Sequence, residues 1–440
     1  MHRRFPAFDY KDPAAILARL KEFLPPEHWL AFQTVSSVAQ AEGQSVFLVG
    51  GIVRDLLLDR PNLDLDFVTL IDARLFARQL VPLFENQPEI TQVGLLTHDP
   101  FKTARLDLTF QNGVTLHIDL ATARREIYQH PAALPTVAPE IATLEVDLLR
   151  RDFTINAMTL SPKGGLVDPF NGLEDLRDGL LKVLHAKSFE DDPTRMARGI
   201  RFAARFGYHF ASETEHLFKE AVAAGYFSLL SPERRRNELR LILKEVRPEK
   251  AVALLQHYHL LQAIQSGLEW NNALGKSFRQ LRDYLPEPPS YLAYLAALLH
   301  LTSPVKAEEI LRGLRFSSEE AAVPVAVAHL WQEVRPKLVP DLKNSQLYAL
   351  LHPYFFPTET LIIFEALLKA DEPERAAQIV HFRQNLAHLR PALDGEFLKS
   401  LGLKPGPQFR IWLEALRNAV LDGEIKGRVA EEQFLRRIIN

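Results

Sequence analysis

Phe47-Leu-Val-Gly-Gly-Ile-Val-Arg-Asp-Leu-Leu-Leu-Asp-Arg-Pro-Asn-Leu-Asp-Leu-Asp-Phe-Val68 is the stretch on which the fold turns. A short apolar run of β-forming residues enters Gly50-Gly51, and a helical pattern carrying Arg54 and Asp55 leaves it. Glycines at such a junction let a phosphate approach the backbone N–H groups of a helix start, with the Arg54 cation one turn along. Asp64 and Asp66 follow at i and i+2 of the next predicted strand, so both carboxylates face one side. Two carboxylates so placed repel unless a cation neutralises them, which suits divalent ions. Phosphoryl chemistry of the two-metal kind uses such a site, with ions roughly 3.5 to 4 Å apart.

Around this stretch the texture is that of strands: Val46–Val49, Leu65–Leu70, Thr103–Phe110, Val114–Leu120 and Ala157–Ser161. In the fourth, Val114, Leu116, Ile118 and Leu120 alternate with Thr115, His117 and Asp119, so one face is buried and Asp119 points to the other, as a natural third ligand. Ahead of the strands, spacing predicts packing helices over Pro13–Phe23 and Pro26–Ala41. Beyond about residue 190 strand signals nearly vanish and 3.6-residue periodicity runs to the end. The expected class is therefore α+β: a mixed-sheet head, then an all-α remainder. Composition shifts divide the chain into a helical lead-in (1–44), the head (45–187), a helical neck (188–250), a helical body (251–340) and a helical tail (341–440).

Composition excludes several classes. The 440 residues are 47% hydrophobic and 24% charged, which rules out bulk disorder, and the absence of cysteine rules out disulfides and thiolate metal sites. No signal peptide is visible at the start, and no run of eighteen apolar residues occurs, so the expectation is a chain without a membrane anchor, located in the cytoplasm. The formal charge of -3 neither demands nor forbids a nucleic-acid partner; placement decides.

Two further segments carry charge in a pattern. Asp147-Leu-Leu-Arg150-Arg151-Asp152-Phe-Thr-Ile-Asn156 offers forked donors for phosphate or ribose, with Asp152 able to fix one guanidinium. In Asp191-Asp192-Pro193-Thr-Arg195, Asp192 before proline is a strong helix start. On the helix that follows, Arg195, Arg198, Arg201 and Arg205 occupy an arc of roughly 120°, with Met196, Ile200, Ala203 and Phe206 on the adjoining face. No acid lies at i+4, so an external anion or the acids of another element should face the stripe. A solvated basic face is the plainer reading of the same stripe.

In combination, Gly-Gly-x-x-Arg-Asp, Asp-x-Asp, Arg-Arg-Asp and Asp-x-x-Arg resemble the nucleotidyltransferase head of the DNA polymerase beta superfamily, and within it the class II tRNA nucleotidyltransferases (CCA-adding enzymes) and bacterial poly(A) polymerases. The resemblance is strongest from Val46 to Phe210. It implies addition of CMP and AMP from CTP and ATP to the tRNA 3′ end, with release of pyrophosphate. It further implies that Asp64, Asp66 and Asp119 are catalytic and hold two Mg²⁺ ions. Gly50, Gly51, Arg54, Arg151, Arg198 and Arg201 would bind the nucleotide, and Asp192 with Arg195 would read the base edge. Asp191 stands where the family carries glutamate. Asp152, Asn156, Glu233, Arg234 and Glu238 would give structural support, the last three through a Glu-Arg-x-x-x-Glu segment bracing the template helix. Leu401-Gly-Leu-Lys-Pro-Gly-Pro407 resembles a tail segment that holds tRNA.

Rival readings within the fold are A-adding, CC-adding and poly(A)-adding enzymes. The segment between Glu126 and Asp147 has the length expected of a complete flexible loop, which disfavours CC-only addition. A catalytically silent RNA-binding protein is opposed by the intact Asp64 and Asp66. A small-molecule nucleotidyltransferase would not need the long helical extension or the base-reading Asp-x-x-Arg. His98-Asp99 is the sole His-Asp pair and falls in the sheet region, so no His-Asp phosphohydrolase domain is expected in the C-terminal half.

Overall fold

The computed structural model describes residues 9 to 439; the first eight residues of the expected lead-in lie outside them. The chain forms two compact units that divide between Leu230 and Ser231.

The first unit begins with helices α1 (Pro13–Phe23) and α2 (Pro26–Ala41). Asp12 caps α1 by accepting from the Ala14 N–H at 2.9 Å. Then come β1 (Val46–Val49), α3 (Gly51–Leu57), β2 (Leu65–Thr69), α4 (Ala73–Glu85), β3 (Ile90–His98), β4 (Thr103–Phe110) and β5 (Thr115–Thr122). A small hairpin, β6 (Glu126–Ile127) and β7 (Thr136–Val137), leads to α5 (Leu144–Leu149). The unit continues with β8 (Thr159–Leu160), β9 (Leu166–Val167), α6 (Gly172–Asp178), β10 (Leu180–Leu181), α7 (Ser188–Asp191), α8 (Thr194–Phe206), β11 (His209–Phe210) and α9 (Ser212–Ala223).

Seven strands make one mixed sheet in the order β3-β4-β5-β2-β1-β8-β9. β2 and β5 run parallel in a register that sets Asp66 beside Asp119, and the α4-β3-β4 excursion supplies the crossover that a parallel pair requires. Partners in a ladder share a face, so the two carboxylates stand on neighbouring strands about 4.8 Å apart. Alternation on β5 is as expected: Leu116, Ile118 and Leu120 are buried, whereas His117 and Asp119 are exposed.

Several boundaries differ from the sequence expectation. β5 starts at Thr115 and extends to Thr122, so Val114 lies outside it and only half-buried. The segment Ala157–Ser161 narrows to the two residues of β8 because a 3₁₀ turn, Thr154–Asn156, occupies the approach. β2 ends at Thr69, and Asp64 stands one residue before it, in an Asx turn in which its N–H donates to Asn62 Oδ1 at 2.9 Å. Strand β3 was not expected: it is an edge strand, and Leu95 and Leu96 on it are exposed, so it shows little alternation.

Helix α8 packs closely on the aromatic core beneath it. A Cβ added at Gly199 would come within 2.7 Å of Phe210 Cε1 and 2.8 Å of Phe153 Cζ, two ring edges held in the buried aromatic cluster. Alanine at this helical position gains about 1 kcal/mol in propensity but meets an overpacking cost of about 1–3 kcal/mol. Gly199→Ala is therefore expected to be destabilising on balance, which a urea unfolding midpoint below that of the parent will register.

The second unit is helical throughout its regular structure, from Pro232–Leu243 to Arg428–Ile439. Helix Tyr291–Leu299 is buried along most of its length, and another apolar cluster gathers Leu351, Phe364, Ile379 and Phe382. A smaller one joins Leu398, Leu416 and Leu435 near the end. Among the described residues no helix is long and apolar enough to cross a membrane.

Candidate active site

The turn between β1 and α3 is possible because Gly50 adopts φ 85° and ψ -139°, a region closed to side-chain-bearing residues. Its Cα side faces chemistry directly: a Cβ there would lie 3.5 Å from Arg151 Nη1 and 3.9 Å from Asp66 Oδ2. Asp66, Asp119 and Arg151 line one cavity of about 560 Å³, which continues over Phe67, Leu96, His98, Phe101, Arg105 and Arg124. Asp64 is exposed and does not line it.

The electrostatics of the three aspartates follow from this placement. The Asp66 carboxyl is pushed up to about 6, first by burial and then by the charges of Asp119 and Asp64, while Arg151 pulls the other way. A group of carboxylates that raises its own member's pKa is an anionic site short of a cation. Its oxygen donors suit Mg²⁺, which is held by one or two carboxylates plus substrate phosphates rather than by an all-protein cage. Among the described residues no three acidic or histidine side chains converge closely enough to enclose an ion by themselves.

Arg151 is held more loosely than its neighbour. Its Nη2 reaches Asp147 Oδ2 at 3.4 Å, and its Nε is buried with no hydrogen-bond partner. Burial lowers the Arg151 pKa against the opposing pull of Asp147. A half-buried guanidinium with a spare donor, beside the carboxylates, is placed to receive a phosphate oxygen. Arg150, by contrast, is fully occupied: Nε and Nη2 donate to Asp147 Oδ1 at 2.9 and 2.7 Å, and Nη1 donates to Glu126 Oε1 at 3.0 Å.

Asp147 and Glu126 are the functional residues that sequence reasoning missed. Asp147 is wholly buried and accepts from the Arg124 N–H as well as from both arginines. Its position three and four residues before Arg150 and Arg151 on a helical turn was the available signal. Glu126 also accepts from Arg124 and from the Tyr128 hydroxyl at 2.8 Å, each two residues away, whereas its bond from Arg150 crosses 24 residues that no local spacing links.

Around α8 the expected residues come together, though in unequal roles. Asp192 accepts from the Thr194 N–H at 3.2 Å and its hydroxyl at 2.7 Å, capping the helix from two residues before Thr194. Arg195 is buried: Nη1 donates to Ser188 Oγ at 2.8 Å and lies 3.4 Å from His185 Nε2, and Nη2 donates to the Arg150 carbonyl at 2.6 Å. Burial and the Arg195 charge hold His185 down at about 4, so at neutral pH its imidazole is uncharged and can accept from that guanidinium. Asp191 lies beside His185, 4.0 Å from Nδ1.

Asp152 serves as the acid that the arginine stripe required. It accepts from Arg198 Nε at 2.8 Å and Nη2 at 2.5 Å, from Asn156 Nδ2 at 2.9 Å and from the Phe153 N–H. Burial opposes its charge, yet Arg198 and these hydrogen bonds hold its pKa below the usual carboxylate range. Arg201 is buried in α8. Arg54 does not line the cavity. Its guanidinium grips Asp55 at 2.9 and 2.7 Å and Asn156 Oδ1 at 2.5 Å, and it lies 5.2 and 5.0 Å from the ring centres of Phe202 and Phe206. It thereby braces α3 against α8. Gly51 sits beside the same cluster, where a Cβ would meet Asn62 at 3.1 Å. The hairpin between β6 and β7 reaches α7, since the Ala132 N–H donates to the Glu190 carbonyl at 3.1 Å.

Glu233, Arg234 and Glu238 belong to the second unit, on helix Pro232–Leu243, whose start Ser231 caps through the Arg234 N–H. Glu238 is buried there. The Leu401–Pro407 segment opens helix Pro407–Leu421.

Comparison with known proteins agrees with this geometry. Residues 46–182 match the Poly A polymerase head domain, and residues 207–270 match the probable RNA and SrmB- binding site of polymerase A. The A-adding tRNA nucleotidyltransferase of Halalkalibacterium halodurans is 32% identical over 432 residues, 95% of this chain and 94% of that protein. The protein of the same name from Aquifex aeolicus is 32% identical over 86% of this chain, which spans only 45% of that longer relative. Among solved structures, the Thermotoga maritima CCA-adding enzyme complexed with tRNA matches with TM-score 0.72 and 28% identity, covering 97% of this chain and 98% of that one. CCA-adding enzyme structures with ATP and with CTP match with TM-scores of 0.74 and 0.73, at 28% and 27% identity, each covering 96% of this chain and, respectively, 95% and 96% of that one.

Proposed function

The chain belongs to the tRNA nucleotidyltransferase and poly(A) polymerase family, and from that premise we propose that it adds CMP and AMP, from CTP and ATP, to the 3′ end of tRNA without a nucleic-acid template. The observation that carries the reading is the convergence of Asp66, Asp119 and Arg151 on one cavity beside the Gly50 turn. In the reaction the tRNA 3′-oxygen attacks the α-phosphorus, a P–O bond forms, the α–β bridging bond breaks, and pyrophosphate leaves with the electron pair. Mg²⁺, which Asp66 and Asp119 would hold from the cavity wall together with substrate phosphates, with Asp64 in the turn just before β2 adding negative charge, would activate the 3′-hydroxyl and neutralise charge on the triphosphate.

The chain's own residues do the rest. Arg151 offers its spare donor to a phosphate oxygen, and the backbone N–H groups at Gly50 and Gly51 cradle another. Arg198, oriented by Asp152, which Asn156 steadies in turn, contacts the nucleotide, and Arg201 assists from the same helix. Asp192 and Arg195 read the base: a carboxylate accepts from the exocyclic amine of cytosine or adenine while the guanidinium donates to a ring nitrogen or carbonyl. Arg54 acts in this scheme by positioning Asn156 and α8. Along the chain, we assign catalysis to 45–187, base selection to 188–250, the tRNA grip to 251–340 and 341–440, and packing to 1–44. Glu233, Arg234 and Glu238 brace the neck. As an enzyme of tRNA maturation it works in the cytoplasm.

A second reading, addition of the terminal A alone, is favoured by the name of the relative that matches along its whole length. The deciding experiment incubates the purified protein with labelled tRNAs ending before CCA, after C and after CC, with CTP, ATP or both. Full CCA addition predicts stepwise growth of the first by three nucleotides. Growth of only the CC-ended tRNA, by one A, selects the second reading, and no growth on any of them refutes both.

A further inference from the structure

In the second unit a group of cations stands without acids. Tyr348, on helix Asn344–Leu351, is a buried ring. Arg417, on helix Pro407–Leu421, places its guanidinium 5.3 Å from that ring's centre, and the His352 imidazole stacks on the same ring at 4.5 Å. Arg390 Nη1 donates to Tyr348 Oη at 3.4 Å and to the carbonyls of Ala387 and Leu389 at 3.1 and 2.9 Å.

Among the described residues, neither Arg390 nor Arg417 has a carboxylate within 4.0 Å, and Arg417 makes no hydrogen bond. Its Nε is buried and unpartnered. Glu414, three residues earlier on the same helix, stays outside that distance. His352 reports the same imbalance: burial lowers its pKa, the charges of Arg390 and Arg417 lower it further, and no carboxylate opposes them. Elsewhere in the unit Arg335 and Arg375 pair with Glu372, and Arg383 pairs with Glu365.

Two guanidiniums without acids, one with a buried spare donor, match the forked geometry of a phosphate dianion or phosphodiester. The buried Tyr348 ring beneath them seats the cations, and an enzyme that serves many tRNAs must hold them by such sequence-blind phosphate contacts. We infer that Arg390 and Arg417, with Tyr348 and His352 beside them, form a binding site for a backbone phosphate of tRNA. This rests on the tRNA reading above and assigns part of the grip to named residues.

The test measures tRNA binding by the full-length protein over a range of salt. Arg417→Gln is expected to weaken binding about tenfold near physiological salt and to reduce the slope of log K against log[salt] by about 0.7 to 0.9, the loss of one phosphate contact. Arg390→Gln, at an exposed position that the fold tolerates, should act in the same direction. Arg417→Lys, which keeps the charge but not the fork, should fall between. Arg436→Gln removes an equal charge from a surface pair with Glu432 and should leave the slope unchanged. Unchanged affinity and slope in both Arg390 and Arg417 variants, with melting midpoints matching the parent, overturn the proposal. Calorimetric titration with inorganic phosphate separates the sources: binding that the variants abolish, without any change in tRNA affinity, would make this a small-anion site instead. If the parent fails to extend any tRNA yet the variants lose tRNA affinity, the catalytic reading falls and the site stands.

Discussion

Asp66→Asn is expected to slow nucleotide addition to tRNA by about 10³-fold or more, while tRNA affinity changes less than about twofold. The substitution keeps the shape of a half-buried side chain on β2 and removes one of the charges that surround the cavity. Metal-assisted stabilisation of the reacting phosphoryl group contributes several kcal/mol, and about 4 kcal/mol converts to a factor near 10³. Single-turnover extension of a CC-ended tRNA with ATP measures the loss directly. Stability should move the opposite way. Asp119 and Asp64 both oppose ionisation of Asp66, so without divalent cations the variant should melt at or above the parent temperature. A variant that retains a tenth of parental activity would remove Asp66 from the chemistry. A variant that loses activity only because it unfolds would be recognised by its melting point.

The second large effect is structural. Asp147→Ala should cost about 3 kcal/mol, because it leaves the half-buried Arg151 without its carboxylate and Arg150 with Glu126 alone. Urea unfolding of the two proteins measures this. Asp147→Asn keeps one acceptor oxygen and should recover part of the loss. Activity should fall further than stability explains, since Arg151 loses the anchor that sets its distance from Asp66 and Asp119. If the alanine variant unfolds at the parental urea concentration, the buried network is not what holds the Arg-Arg-Asp segment.

What the sequence made legible was what local periodicity and spacing encode. Alternation fixed the buried face of β5 and left Asp119 on the other, and the parallel register with β2 then brought it to Asp66. The arginine stripe on α8 was read correctly as needing an outside acid, and Asp152 is that acid for Arg198. Less was legible where partners come from far along the chain. Glu126 meets Arg150 across 24 residues, and no spacing rule connects them. β3 escaped because an edge strand with exposed Leu95 and Leu96 satisfies neither alternation nor burial. Arg54 shows a different limit. Its place one turn after the glycines suggests a phosphate ligand, but its burial against Phe202 and Phe206 and its contact with Asn156 are tertiary facts.

That brace bears on how nucleotide preference can be exchanged between relatives. Arg54 ties the glycine turn to Asn156, Asn156 ties into Asp152, and Asp152 orients Arg198 on α8. The three segments thus constitute one inheritable module despite spanning about 150 residues of chain. A graft of α8 alone would set the helix on the recipient's own, mismatched supports, whereas a transplant that carries residues 50–55, 147–156 and 188–206 together would bring its own alignment with it.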